Sequence, residues 1–109
     1  MLRDIAELDW KVLRRLHPLA LERFCERTLA EIELGVQDRA RGQHERYINV
    51  FNLVQRRDQQ MARLFDDLRR SRALAMLAQI RTEGLLTDEE FSMFSQETRD
   101  AVEVLVGAR

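Results

Sequence analysis

What most limits this chain is how little interrupts it. From Gln43 through Glu83 there is neither proline nor glycine, and the whole sequence holds one proline and four glycines. Through that stretch and most of the remainder, apolar residues recur at steps of three and four, the spacing that gathers them on one face of an α-helix. Alternation of period two is not evident, and Asn-Gly or Asp-Gly hairpin turns do not occur. The expected fold class is therefore all-α: a single compact helical domain over residues 1–109, with five or six helices around one long central helix.

Composition narrows the function classes. With 45% hydrophobic residues in 109, the chain can bury a core and does not read as a disordered tail. Eighteen basic against nineteen acidic residues leave a net charge of -1, so nothing global draws it to nucleic acid or an anionic membrane. Cys25 stands alone, which excludes an internal disulfide. Asp4 and Glu7 interrupt the start where a signal peptide needs an apolar stretch, and the longest later apolar run is only Ala73 to Ala78. The expected location is the cytoplasm of a bacterial cell, with no membrane contact.

The helices can be placed in turn. Ile5, Leu8, Val12 and Leu16 share one face of a first helix over roughly residues 3–16, which His17-Pro18 is expected to break. Pro18 then opens a second helix whose buried stripe is Leu21, Phe24, Cys25, Leu29, Ile32 and Val36, with Leu19 and Leu34 opposite; it stops between Gly35 and Gly42. A long third helix follows over about 43–70, spanning roughly 40 Å at 1.5 Å per residue and carrying Tyr47, Phe51, Val54, Met61, Phe65 and Leu68. The stripe changes phase at Leu74, Leu77 and Ile80, so a fourth helix is expected over about 72–83, capped by Ser71 and closed by a left-handed Gly84. Thr87-Asp88-Glu89-Glu90 has the form of a capping box, and Phe91, Phe94, Ala101, Val102 and Leu105 continue from it, with Ser95 dividing that stretch in two.

Motifs for chemistry are sparse. His17 and His44 lie at separate helix starts without a partner at ligand spacing, and read as surface or capping residues. Cys25 falls in the apolar stripe and reads as a structural thiol. Residues 79–90 echo a calcium loop, with Gly84 sixth and Glu90 twelfth, but the third place holds Arg81, whose guanidinium would face the ion. No nucleophile and base, metal cluster or phosphate loop can be named, so neither catalysis nor a cofactor is expected.

The segment Ala75-Met76-Leu77-Ala78-Gln79-Ile80-Arg81-Thr82-Glu83-Gly84-Leu85-Leu86-Thr87-Asp88-Glu89-Glu90-Phe91 resembles the short C-terminal helical oligomerisation modules called SHOCT. The likeness covers residues 71–95 and lacks the lysine-rich continuation; it implies a helical hairpin used in assembly. The whole chain is similar to small, functionally uncharacterised all-helical proteins of proteobacteria, a likeness that implies a fold class and no activity.

Three features of the sequence bear on partners. Arg56, Arg63 and Arg70 are seven apart and would form one exposed row able to meet an anionic partner, although Asp66 before Arg70 and Arg63 before Asp67, each by four, predict a solvated ladder instead. Asp58 occupies a place where the third helix's repeat calls for an apolar residue. Either the stripe is exposed at that height, or Asp58 pairs with an arginine from another helix or subunit, or it lines a polar ligand site. Trp10 and Phe94 are large enough to anchor an interface unless the chain's own helices cover them.

The function expected from these features is a non-catalytic helical interaction or self-assembly module, with Trp10, Tyr47, Phe51, Asp58, Met61 and Phe65 as interaction residues. Its partner would be a second copy or another protein. The alternatives are a ligand-sensing regulatory protein with a small inter-helix pocket near Asp58 and Tyr47, and a nucleic-acid binder through Arg56, Arg63 and Arg70.

Overall fold

The computed structural model describes residues 4–107, and every regular element in them is helical. Five α-helices occur: α1 (Glu7–Val36), α2 (Gln43–Phe65), α3 (Ala73–Thr82), α4 (Asp88–Phe91) and α5 (Gln96–Gly107), with a single 3₁₀ turn at Arg70–Arg72 before α3. The all-α expectation holds. Its internal arrangement differs from the expectation in several places, each with a physical cause.

Pro18 does not break the first helix. It lies inside α1, which runs unbroken for 30 residues and is the longest described element. A proline within a helix loses its hydrogen bond to the residue four before it and crowds that residue's carbonyl, a cost of about 3 kcal/mol that packing on both sides of the turn outweighs. Leu13, Leu16 and Ala20 are all buried there, and His17 Nε2 donates to the Phe65 carbonyl over 3.0 Å while its ring stands edge-on to the Phe65 ring.

Helix α2 stops at Phe65, short of residue 70, because Asp66 is extended and Asp67 takes a positive φ of 63°. Ser71 is not the cap of the next helix: it sits within the 3₁₀ turn, and Arg72 precedes α3 without a side-chain cap. Gly84 does take the left-handed conformation, at φ 68°. The Thr87–Glu90 capping box forms in both directions. Ser95 separates α4 from α5, its Oγ accepting from the Thr98 amide at 3.3 Å.

The core is one cluster built from the N-terminal half of α1, the end of α2, and α3 to α5. Leu13, Leu77, Ile80, Leu85, Phe94 and Val102 are its largest fully buried side chains. At the start of α1, Leu8 was expected inside; it is 75% exposed, and Asp9 is buried in its place. That carboxylate is not orphaned. It accepts from the Ser95 amide at 2.8 Å, the Ser95 hydroxyl at 2.6 Å and the Thr98 hydroxyl at 2.7 Å, so it fastens the start of α1 to the start of α5. Burial pushes the Asp9 carboxyl up, and the three bonds pull it down further, leaving it below its ordinary value.

Arginines from α1 and the loop bind this body together. Arg23 meets Glu90 in two parallel bonds of 2.6 and 2.9 Å and also donates to the Leu85 carbonyl. Arg27 donates to the Glu83 and Gly84 carbonyls at the end of α3, where helix carbonyls lack partners of their own. Arg70 reaches the Ile5 carbonyl and Glu7.

Beyond this body the molecule becomes two helices alone. The described residues extend 52 × 27 × 23 Å with a radius of gyration of 16.8 Å, against about 13 Å for a compact domain of this length. From Cys25 through Arg63 no residue is buried. The distal parts of α1 and α2 thus form an arm, joined at its tip by residues 37–42.

Candidate functional site

The arm holds together with little buried area, and its two long sides are chemically unlike. Between the helices, Gly35 brings α1 against α2 so closely that a Cβ there would lie 3.0 Å from the Val50 side chain. Half-buried Ile32, Val50 and Leu53 contribute to this seam. At the tip, Arg46 caps the Val36 carbonyl, and Asp38 accepts from the Ala40 amide and from Arg41.

One side is polar. Arg57 forms two parallel bonds to Glu31, at 2.9 and 2.8 Å, and the shallow hollow around them also takes in Arg27, Thr28, Gln60 and Glu83. The Arg57 bonds hold the Glu31 carboxyl below its ordinary value.

The other side is apolar. Cys25 and Leu29 from α1 meet Val54, Asp58 and Met61 from α2 around a groove of about 150 Å³. Nearer the tip, Val36 and Tyr47 line a second hollow of about 280 Å³. Phe51 lies one helical turn from both Tyr47 and Val54, on the same α2 stripe.

The α2 stripe that carries the expected interaction residues is covered by the chain's own helices only at its base. Phe65 is 5% exposed, Met61 is half-buried, and Val54, Phe51 and Tyr47 rise to 43%, 49% and 67%. Helices α3 to α5 are all spent on the body, so none of the other described elements covers the outer part. The second-helix stripe fails for the same reason: Phe24 is buried, but Leu29 and Val36 are 60% and 49% exposed.

The remaining sequence-derived residues fall as follows. Asp58 is exposed and makes no ion pair among the described residues, so it has no arginine partner from another described helix. Thr28, Arg57 and Asp58 are the polar residues lining its groove, with Arg57 engaged by Glu31, and Tyr47 is not part of it. Cys25 is half-buried. Trp10 packs half-buried against the core with the Arg14 guanidinium 5.3 Å from its ring centre, and Phe94 is buried outright, so the chain's own helices cover Phe94 fully and Trp10 in part. His44 is exposed at the start of α2.

The arginine row is not assembled. Arg56 and Arg63 are exposed on α2, whereas Arg70 lies beyond its end and is engaged with Ile5 and Glu7. The predicted Asp66–Arg70 and Arg63–Asp67 ladder is absent among the described ion pairs; Asp67 instead takes Arg69 and Arg72. The segment that resembles an oligomerisation module spans α3, the turn at Gly84 and α4, and its Leu77, Ile80, Leu85, Leu86 and Phe91 are buried inside the body.

A wider cleft of about 480 Å³ lies between the base of α2, α3 and the end of α5, with Gln60, Arg63, Gln79 and Glu83 on its polar parts and Leu64, Leu105 and Val106 on its apolar ones. Arg63 and Glu83 are its charged residues, and neither is buried. No cluster of metal-binding side chains occurs among the described residues, and no described helix is long and apolar enough to cross a membrane. No family model, curated protein or solved structure matches the chain.

Proposed function

We propose that this chain is a non-catalytic protein–protein interaction module that engages its partner through the apolar side of the arm. The observation that carries this reading is the coincidence of two facts: no residue is buried between Cys25 and Arg63, yet one side of that stretch keeps Leu29, Val36, Tyr47, Phe51 and Val54.

Taking side chains of about 150–250 Å² each, those five expose on the order of 500 Å², as large as the widest apolar patches that monomeric proteins leave open. Tyr47 and Phe51 supply rigid aromatic area of the kind that dominates binding energy. Two helices joined by a short loop form half of a four-helix bundle, and a helix or helix pair from a partner completes it. Asp58, exposed within the stripe, sets where along it a partner's polar group must stand.

A photo-crosslinking residue placed at position 51, in the cell, tests the reading whatever the partner is. An adduct from position 51, with none from position 60 on the polar side, is the expected result. Equal yields at both positions, or none at either, would remove the arm's apolar side as a binding surface.

A further inference from the structure

Helix α1 has a second unpartnered face, distinct from the arm's apolar side except that Leu29 borders both. Leu8, Lys11, Arg15, Leu19, Glu22, Glu26, Leu29 and Glu33 follow one another at steps of three and four, so they form one continuous stripe along the helix. Every one of them is exposed. The three leucines are 75%, 40% and 60% exposed, and none of the five charged residues makes an ion pair among the described residues.

The stripe is arranged against the interest of a single helix. Lys11 and Arg15 are like charges four apart, and so are Glu22 and Glu26, a spacing at which like charges repel within a helix. Basic residues occupy the N-terminal part and acidic ones the C-terminal part. The order is close to a palindrome in which sign is inverted: a half-turn about the level of Pro18 and Leu19 places Leu8 opposite Leu29, Lys11 opposite Glu26, and Arg15 opposite Glu22.

We infer that the occupant of this face is a second copy of the chain, its α1 lying antiparallel along the first. A two-fold axis makes each of those matches twice, so four opposite-charge pairs flank four leucines that face each other, with Leu19 of each copy near the axis. This is the self-complementary pattern that a two-fold interface requires, and a parallel arrangement of the same stripe in register would set like charges together. The matched stretch, from Leu8 to Leu29, is about 32 Å long at 1.5 Å per residue. The outer part of α2 takes no part in it and stays free for the binding proposed above, so the two proposals stand or fall separately.

Charge exchange tests the pairing on the full chain. Sedimentation over a concentration series, at low and at high salt, is expected to show a dimer that weakens as salt rises. The double variants Lys11→Glu/Arg15→Glu and Glu22→Arg/Glu26→Lys are each expected to associate with themselves at least tenfold more weakly, and to form a mixed dimer when combined. The mixed dimer is also the control for folding, because misfolded chains would not regain a partner. A wild-type chain that remains monomeric, variants that associate as it does, or a mixture that forms no mixed dimer would each overturn the inference. Tyr47→Asp/Phe51→Asp is expected to leave this dimer unchanged; its loss in that variant would place self-association on the arm's apolar side and overturn the α1 pairing.

Discussion

The body and the arm are built from the same two long helices with the same spacing of apolar residues, yet they differ completely in what that spacing achieves. Below Cys25 the stripe of α1 is buried in the common core, against α3 and the end of α2; above it, side chains of the same types stand in water. The periodicity of a helix states which face is apolar. It does not state whether anything lies on that face, because the covering element comes from elsewhere in the chain or from another molecule. Burial is therefore a property of the neighbourhood and not of the stripe.

This contrast makes ranked predictions. Leu77→Ala, in the fully buried part of α3, is expected to cost about 4 kcal/mol by combining lost transfer energy with a cavity. Denaturant unfolding measures it, and a loss under about 1 kcal/mol would mean that the body is no better packed than the arm. Asp9→Ala is expected to cost about 2 kcal/mol, since it removes three hydrogen bonds and leaves the buried Thr98 hydroxyl without its acceptor. The same measurement at neutral pH checks it.

Glu90→Gln should be milder, about 1–2 kcal/mol at neutral pH, because the Arg23 contact is lost while part of the cap survives. Its pH dependence is the sharper readout. The two bonds from Arg23 draw the Glu90 carboxyl from 4.5 down to about 2 in the folded chain. A depressed carboxyl stabilises fully above its unfolded value and loses that contribution as pH falls through the folded one. The gap in stability between wild type and Glu90→Gln is thus expected to be constant above about pH 5 and to close between about pH 5 and 2; a gap that persists at pH 2 would detach it from the ion pair. At the other extreme, Phe51→Ala in the arm is expected to change stability by less than about 0.5 kcal/mol. A larger loss in the isolated monomer would show that the arm is covered after all.

How far the fold was legible follows from the same distinction. Local chemistry was readable: the left-handed Gly84, the Thr87–Glu90 capping box and the division at Ser95 all depend on residues within a few positions. Events decided at long range were not. Pro18 carries a strong local signal for a break, and only the packing of Leu13, Leu16, Ala20 and His17 against distant residues keeps the helix whole. Nothing near Asp9 in the sequence marks it for burial, because its role depends on Ser95 and Thr98, 86 and 89 residues away. The candidate stripe of α2 lies on that helix as far as Phe65, with Leu68 past its end, and its exposure beyond Met61 depends on where α3 to α5 are spent. The palindromic order on α1 was present in the sequence throughout. It became visible once Pro18 no longer divided that helix into two.

That undivided helix also has a mechanical consequence. Pro18 leaves the carbonyl of Arg14 without its usual rung, so α1 has a point of weaker bending resistance inside the body, braced across the gap by His17. Everything from there to Val36 is a rigid beam about 27 Å long, pivoted at that fulcrum. A tilt of roughly 5° at the pivot would carry the tip about 2 Å, so disturbances among the buried side chains near Leu16 and Phe65 are magnified where Tyr47 stands.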